Sequence, residues 1–124
     1  MVNISSIKLD TAAASQGVWK HDPWGIGFEF CIASTSCKEY VAAVREAARM
    51  LDKEGEEAFQ RRVSEATARH LLRDWRGLDE PYSYEKSLEF MTAPDGMHLR
   101  AWVAAVADTT TEYLMHTRAK AGKA

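Results

Sequence analysis

An alternation of apolar and polar side chains marks one strand in the first third of the chain. Between residues 26 and 32 the apolar side chains occupy every second position, at Ile26, Phe28, Phe30 and Ile32. This is the period of a strand with one buried face. Residues 21–25, before it, have the composition of a turn. We therefore predict a hairpin of residues 17–20 with 26–33, and residues 5–9 are a candidate third strand.

After residue 36 the apolar side chains recur at steps of three and four, which predicts amphipathic helices. In the first helix the apolar positions are Tyr40, Val41, Val44, Ala48 and Leu51. Ser36 with Glu39 three residues later forms the pattern of a capping box at its start. After an interruption at 52–55, a second helix is predicted from about Glu56 to Trp75, with Gly77 as the glycine that ends it.

Two more helices complete the pattern. Ser83 predicts the start of a short helix that continues to Met91, and residues 94–96 then break the chain. The last helix is predicted over about 97–117, with Trp102 on its apolar side. The predicted fold class is α+β, mostly α, with a short N-terminal β-hairpin or small antiparallel sheet followed by about four helices.

The length of 124 residues fits a single domain that buries a core without metal or disulfide support. We expect a β element at 1–35, a helical part at 36–117 and a flexible tail at 118–124. With 16 basic and 18 acidic residues, the formal charge is −2. The basic residues form no continuous patch, so the sequence predicts no nucleic-acid partner. No apolar stretch has the length of a membrane span, so we predict no membrane partner either.

The chain contains no motif that predicts catalysis, a cofactor or a metal site. Its four histidines, His21, His70, His98 and His116, fall in different predicted elements at no ligand spacing. Cys31 and Cys37 are predicted to be reduced thiols, one of them buried in the strand and the other near a helix start. We predict no catalytic residue, and an enzyme that uses Cys31 or a histidine is the least favoured of the function classes considered.

Four tryptophans are many for a core of this size, and tryptophan is enriched where proteins contact partners. Trp75 and Trp102 lie on the apolar faces of predicted helices, so we interpret them as core residues. Trp19 and Trp24 flank a predicted turn, and their pattern fits packing and partner contact equally well.

The segment from Trp75 to Met91 resembles a known signature. It has a tryptophan, then Gly77, then acidic residues, then Pro81, Tyr82 and Ser83 ahead of a short helix. Tail assembly chaperones of long-tailed bacteriophages have a similar order of residues, preceded by a Gly-Val-Trp unit like that ending at Trp19. The resemblance covers about residues 7–115. The acidic insert before the proline is shorter here, and Ser87 stands where the family has another small residue.

This resemblance implies a non-enzymatic role in virion assembly. Members of the family bind the tape measure protein, keep it soluble and help to recruit tail tube subunits. It also implies possible self-association, a location in the host bacterial cytoplasm and absence from the mature virion. The signature residues, together with the tryptophans as possible contacts, are Trp19, Trp24, Trp75, Gly77, Pro81, Tyr82 and Trp102.

The alternative function is another small phage protein, either a head–tail or tail component of the virion or an inhibitor that binds a host protein. The same composition, rich in tryptophan and poor in catalytic motifs, fits both classes. Presence in purified virions would distinguish a structural component from a chaperone.

Overall fold

A three-stranded antiparallel sheet and six α-helices make up the part of the chain that the structure describes, which confirms the predicted α+β, mostly α class. The structure is a computed structural model that describes Met1 and residues 3–113, without the side chains of residues 6 and 111–113. The strands are β1 Val18–His21, β2 Glu29–Ile32 and β3 Leu72–Arg76. The helices are α1 Thr11–Gln16, α2 Lys38–Arg49, α3 Leu51–Glu54, α4 Glu56–Ala66, α5 Tyr84–Met91 and α6 Met97–Tyr113.

Strand β2 lies at the centre of the sheet, between β1 and β3. The hairpin of β1 with β2 confirms the prediction, and its register pairs Val18 with Ile32 and His21 with Glu29. The predicted strand at 5–9 is wrong. Residues Ile4–Ile7 form a 3-10 turn, in which the side chain of Asn3 accepts a hydrogen bond from the amide of Ser5. The helix α1 lies inside residues 1–35, for which the sequence predicts a β element.

Strand β3 corrects the prediction of a helix from 56 to 75. A β-bulge interrupts its pairing with β2, so that Cys31 pairs with Asp74 while Ile32 pairs with Leu72. The extra residue, Arg73, places Leu72 and Trp75 on the same buried face although they are three positions apart. A bulged strand therefore produces the same three-residue spacing of apolar side chains as a helix.

A π-helical turn, Thr67–Leu71, connects α4 to β3. Its wider ring closes with a hydrogen bond from the amide of Leu72 to the carbonyl of Thr67, after which the backbone becomes extended. The buried hydroxyl of Ser87, on α5, donates to the Ala68 carbonyl inside this turn at 3.0 Å. This hydrogen bond joins α5 to the point where the helical chain turns into the sheet.

The core lies between the inner face of the sheet, the π-helical turn, α5 and α6. Its largest fully buried side chains include Phe30, Ile32, Leu71, Leu72, Met91 and Val103. Trp75 is also buried in this cluster, and Trp102 is partly buried against it, which confirms that both tryptophans pack with the core. The opposite face of the sheet carries Trp19.

Two predicted helix signals have other roles in the structure. The N-cap of α2 is Cys37 rather than Ser36, and Glu39 accepts a hydrogen bond from the Ser15 hydroxyl at 3.1 Å instead of closing a capping box. Gly77 has the positive φ of +86° that a helix-ending glycine adopts, but it follows β3. Residues 72–76 pair with β2 as a strand, so Gly77 follows a strand and does not end the predicted helix.

The predicted interruption of the chain at 52–55 is wrong, because Leu51–Glu54 form the short helix α3, and the helical segments separate at Met50 and at Gly55 instead. The start of α4 at Glu56 and the boundaries of α5 agree with the sequence. Ser83 caps α5 by accepting from the Lys86 amide, and α6 begins at Met97 after a 3-10 turn at Pro94–Gly96. The predicted end of the last helix at about residue 117, the tail at 118–124 and His116 lie outside the described residues.

Replacing Ser87 by alanine tests the link between α5 and the π-helical turn. We expect Ser87→Ala to lower the free energy of unfolding by about 1–2 kcal/mol, because a buried carbonyl loses its hydroxyl donor. Ser64→Ala is the matched control, since Ser64 donates to the Gln60 carbonyl on the exposed side of α4. We expect that variant to change stability by less than about 0.5 kcal/mol. Equal effects of the two variants in urea denaturation would contradict this role of Ser87.

Candidate functional site

An open apolar groove of about 420 Å³ lies at one end of the sheet. It is bordered by the turn between β1 and β2, by the chain that follows β3, by α5 and by the start of α6. Its lining residues, of which only His98 is polar, are Trp24, Ile26, Phe28, Phe30, Leu78, Phe90, His98 and Leu99.

Aromatic rings form the floor of the groove and one of its sides. The ring centroids of Trp24 and Trp102 are 5.6 Å apart in an edge-to-face arrangement, and those of Phe30 and Trp102 are 5.5 Å apart. Trp24 also makes an edge contact with His98 at 5.4 Å. Such edge contacts are favourable geometries for aromatic side chains. The floor is therefore a continuous packed surface that extends from the core to solvent.

The borders of the groove expose large apolar side chains to solvent. Ile26 is 74% exposed, Trp24 is 45% exposed and Leu78 is 42% exposed. Full burial of a side chain of this kind contributes about 1.5–3 kcal/mol. A cluster of exposed apolar side chains around a concave surface is typical of a binding site for a protein or an apolar ligand.

The carboxylate of Asp22 holds the turn that carries Trp24 and Ile26. It accepts backbone hydrogen bonds from Trp24, Ile26, Gly27 and Phe28 at distances of 2.8–3.1 Å. Partial desolvation raises the pKa of this carboxyl, but the four N–H donors outweigh that effect and bring the pKa to about 2. The loop is therefore fixed by a charged acceptor rather than by packing alone.

Gly77 brings the two borders of the groove into contact. Its φ is +86°, and a Cβ at this position would lie 2.6 Å from the carbonyl oxygen of Gly27. Only glycine fits this close approach without strain. The backbone before Leu78 thus packs directly on the turn that carries Ile26.

The predicted signature residues hold the segment that follows Leu78 in place. The indole of Trp75 donates to the Glu80 carbonyl at 2.8 Å, and the hydroxyl of Tyr82 donates to the Leu72 carbonyl at 2.9 Å. The rings of Trp75 and Tyr82 meet edge to face at 5.1 Å, and Pro81 lies exposed between the two hydrogen-bonded residues. Trp75, Gly77 and Tyr82 therefore build one border of the groove without lining it.

The seven residues singled out from the sequence do not form one cluster. Trp24 lines the groove and packs against Trp102, which is not among the lining residues. Trp19 lies on the opposite face of the sheet, where the guanidinium carbon of Arg76 is 4.1 Å from the centroid of its ring. Arg76 also forms an ion pair with Glu29 at 3.0 Å. Apart from Trp24, sequence reasoning missed the lining residues of the groove, which are Ile26, Phe28, Phe30, Leu78, Phe90, His98 and Leu99. Two of them, Ile26 and Leu78, could have been found from the sequence, since each is an apolar residue directly beside a glycine.

The cysteines and histidines form no reactive cluster in the described residues. Cys31 and Cys37 are free and buried, and burial raises the pKa of both thiols, which disfavours the reactive thiolate. Burial lowers the pKa of His70, while His21 is exposed 3.7 Å from Glu29. Within residues 1 and 3–113, no group of three or more potential ligands is placed to bind a metal ion.

A comparison with known proteins finds no matching family model, no matching curated protein and no matching solved structure. Among the helices that the structure describes, none has both the length and the apolar character needed to cross a bilayer. The apolar groove is the surface with the clearest capacity for binding.

Replacing Asp22 by asparagine tests how the groove border is held. We expect Asp22→Asn to speed amide hydrogen exchange at Gly27 and Phe28 by about tenfold or more, because a neutral amide offers one acceptor oxygen in place of two charged ones. Asp52→Asn makes the same chemical change on the exposed surface of α3 and should leave these amides unchanged. Equal exchange in both variants would show that the Asp22 carboxylate does not hold the turn.

The low pKa of Asp22 also predicts a pH dependence. In the folded protein this group stays charged down to about pH 2, whereas in the unfolded chain it takes up a proton near the ordinary value of 3.8. Its contribution to stability is therefore complete above the unfolded value and is lost as the pH falls towards 2. Urea denaturation should show a stability difference between wild type and Asp22→Asn that is constant above about pH 5 and shrinks below it. A difference independent of pH would contradict this assignment.

Proposed function

We propose that this protein is a tail assembly chaperone of a long-tailed bacteriophage and that its apolar groove binds a helical segment of the client. The observation that carries the proposal is the groove itself, a concave apolar surface whose borders are held open by polar contacts. The resemblance around Trp75, Gly77, Pro81 and Tyr82 supports the tape measure protein as the client. Those same residues build one border of the groove, which links the resemblance to the binding surface.

The shape and chemistry of the groove suit an amphipathic helix. Such a helix places apolar side chains at three- and four-residue spacing into a groove on its partner. The exposed side chains of Ile26 and Leu78 line the groove from two segments that meet where Gly77 packs on Gly27, beside the aromatic floor. A client helix that enters the groove would remove both side chains from water, together with its own apolar stripe.

The fixed borders also favour binding energetically. A loop that is already ordered loses little conformational entropy on association. The Asp22 hydrogen bonds and the contact of Gly77 with Gly27 supply this order in the unbound protein. The groove therefore supports binding of an apolar segment without a large rearrangement of the chaperone.

The remaining features of the proposal follow from the resemblance. The protein has no catalytic role, helps to bring tail tube subunits to the client, acts in the host bacterial cytoplasm and is absent from the finished particle. Self-association along a long client would add several weak contacts into a strong overall attachment.

Ile26→Ser tests the groove as the client site. Loss of one buried isoleucine should weaken binding of a tape measure fragment by about tenfold to a hundredfold, because burial of such a side chain contributes about 1.5–3 kcal/mol. The same variant should lower the soluble fraction of co-expressed tape measure protein. The affinity is measured with purified proteins, and the soluble fraction is measured by centrifugation of lysates.

Ile4→Ser is the matched control, because Ile4 is 71% exposed, as Ile26 is 74% exposed, and lies outside the groove. Both variants should keep wild-type stability, since each replaces an exposed side chain. Equal binding of the client by Ile26→Ser and Ile4→Ser would exclude the groove as the site. Failure of the wild-type protein to bind and solubilise the client would contradict the chaperone proposal. Its presence in purified virions would contradict the proposal as well.

A further inference from the structure

We infer that a second apolar groove, which lies between α2 and α4, binds the C-terminal segment of the same chain, residues 114–124. This inference is independent of the proposed function, because it concerns a different surface and needs no client. It follows from a helical face that the core leaves partly uncovered and from the contact of α6 with one end of that face.

The second groove, the α2–α4 groove, has a volume of about 320 Å³ and is open to solvent. Its apolar lining residues are Tyr40, Val41, Val44, Phe59 and Val63. Within the described part of the chain, Tyr40 packs against the main core, whereas the other four lie outside the core cluster and are half-buried. Both helices therefore keep part of their apolar faces in contact with water. Covering these faces with further apolar side chains is favourable, because it removes both surfaces from water.

Helix α6 contacts one end of the α2–α4 groove. Thr35, which lines the groove, donates from its amide to the Ala107 carbonyl at 3.2 Å and from its hydroxyl to the Asp108 carboxylate at 3.4 Å. Residues 114–124 follow α6 directly in the sequence and lie outside the described residues. The chain that leads into this segment is therefore anchored beside the groove.

The segment is long enough to cover the groove. Tyr113 lies five residues beyond Asp108, a rise of about 8 Å in a helix, and the 12 residues of α2 span about 18 Å. The 11 residues of the segment reach up to about 36 Å when extended. They can therefore return past Thr35 and extend along α2 as far as Val44. Because the segment is joined to α6, its effective concentration at the groove is high, so a few apolar contacts are sufficient for binding.

The composition of the segment matches an apolar groove on an acidic protein. It contains two large apolar side chains, Leu114 and Met115, and three bases without an acid. Residues 1–113 contain 13 bases and 18 acids, which gives them a formal charge of −5. Opposite net charges favour association of the segment with the rest of the chain. Because Arg45 also lines the groove, we place Leu114 and Met115 rather than the bases against its lining.

A spin label on the segment tests this inference in the full chain. Ala121→Cys introduces one accessible thiol for the label, since both native cysteines are buried. The nitroxide should reduce the intensities of the amide signals of Val41, Val44 and Val63 in NMR spectra. Chemical reduction of the nitroxide should restore these intensities and supplies the reference.

The double variant Leu114→Ser, Met115→Ser of the labelled chain should lose most of this effect, because the segment then lacks its two apolar contacts. Ile4→Ser, Ile7→Ser is the matched control. It makes the same kind of change at two side chains that are 71% and 52% exposed and lie outside the α2–α4 groove. The control should keep the full loss of signal.

A mixture of two samples distinguishes binding within one chain from binding to a second copy. One sample carries the isotope without the nitroxide, and the other carries the nitroxide without the isotope. We expect no loss of signal in this mixture. Equal loss in the mixture would overturn the inference, because the segment would then bind another copy. Unchanged intensities in the labelled chain itself, or an effect that survives replacement of Leu114 and Met115, would overturn it as well.

Discussion

The pairing of β3 with β2 is the constraint on which the rest of the molecule depends. It takes the chain from the helical segment of α4 back to the sheet, and the bulge at Arg73 places both Leu72 and Trp75 on the buried face. From that position the Trp75 indole donates a hydrogen bond to the Glu80 carbonyl. This hydrogen bond fixes the segment that follows Leu78. One irregular strand pair thus determines both a large part of the core and one border of the groove.

The elements that could be predicted from the sequence are those whose signals are local. The hairpin, the cap at Ser83 and the start of α6 each follow from a few neighbouring residues. Strand β3 could not be predicted in the same way, because its bulge gives Leu72 and Trp75 a helix-like spacing. Its strand character comes from pairing with residues 40 or more positions earlier in the chain, as with Glu29 and Arg76.

The candidate site shows the same division between local and long-range information. The aspartate, proline and glycines of residues 22–27 indicate a turn, but the four amide contacts of Asp22 are visible only in the folded chain. Exposure of Ile26 and Leu78 depends on how two distant loops meet at Gly27 and Gly77. An apolar residue in a loop is compatible with packing or with partner contact until that meeting point is known.

A groove that stays apolar and open in water must resist collapse on itself. The Asp22 hydrogen bonds and the close packing of Gly77 on Gly27 hold the two segments that carry Ile26 and Leu78 in place. Both contacts are made by groups that do not line the groove, so the apolar side chains of Trp24, Ile26 and Leu78 stay exposed. A client that covers these side chains therefore gains from their burial without first ordering the loops that carry them.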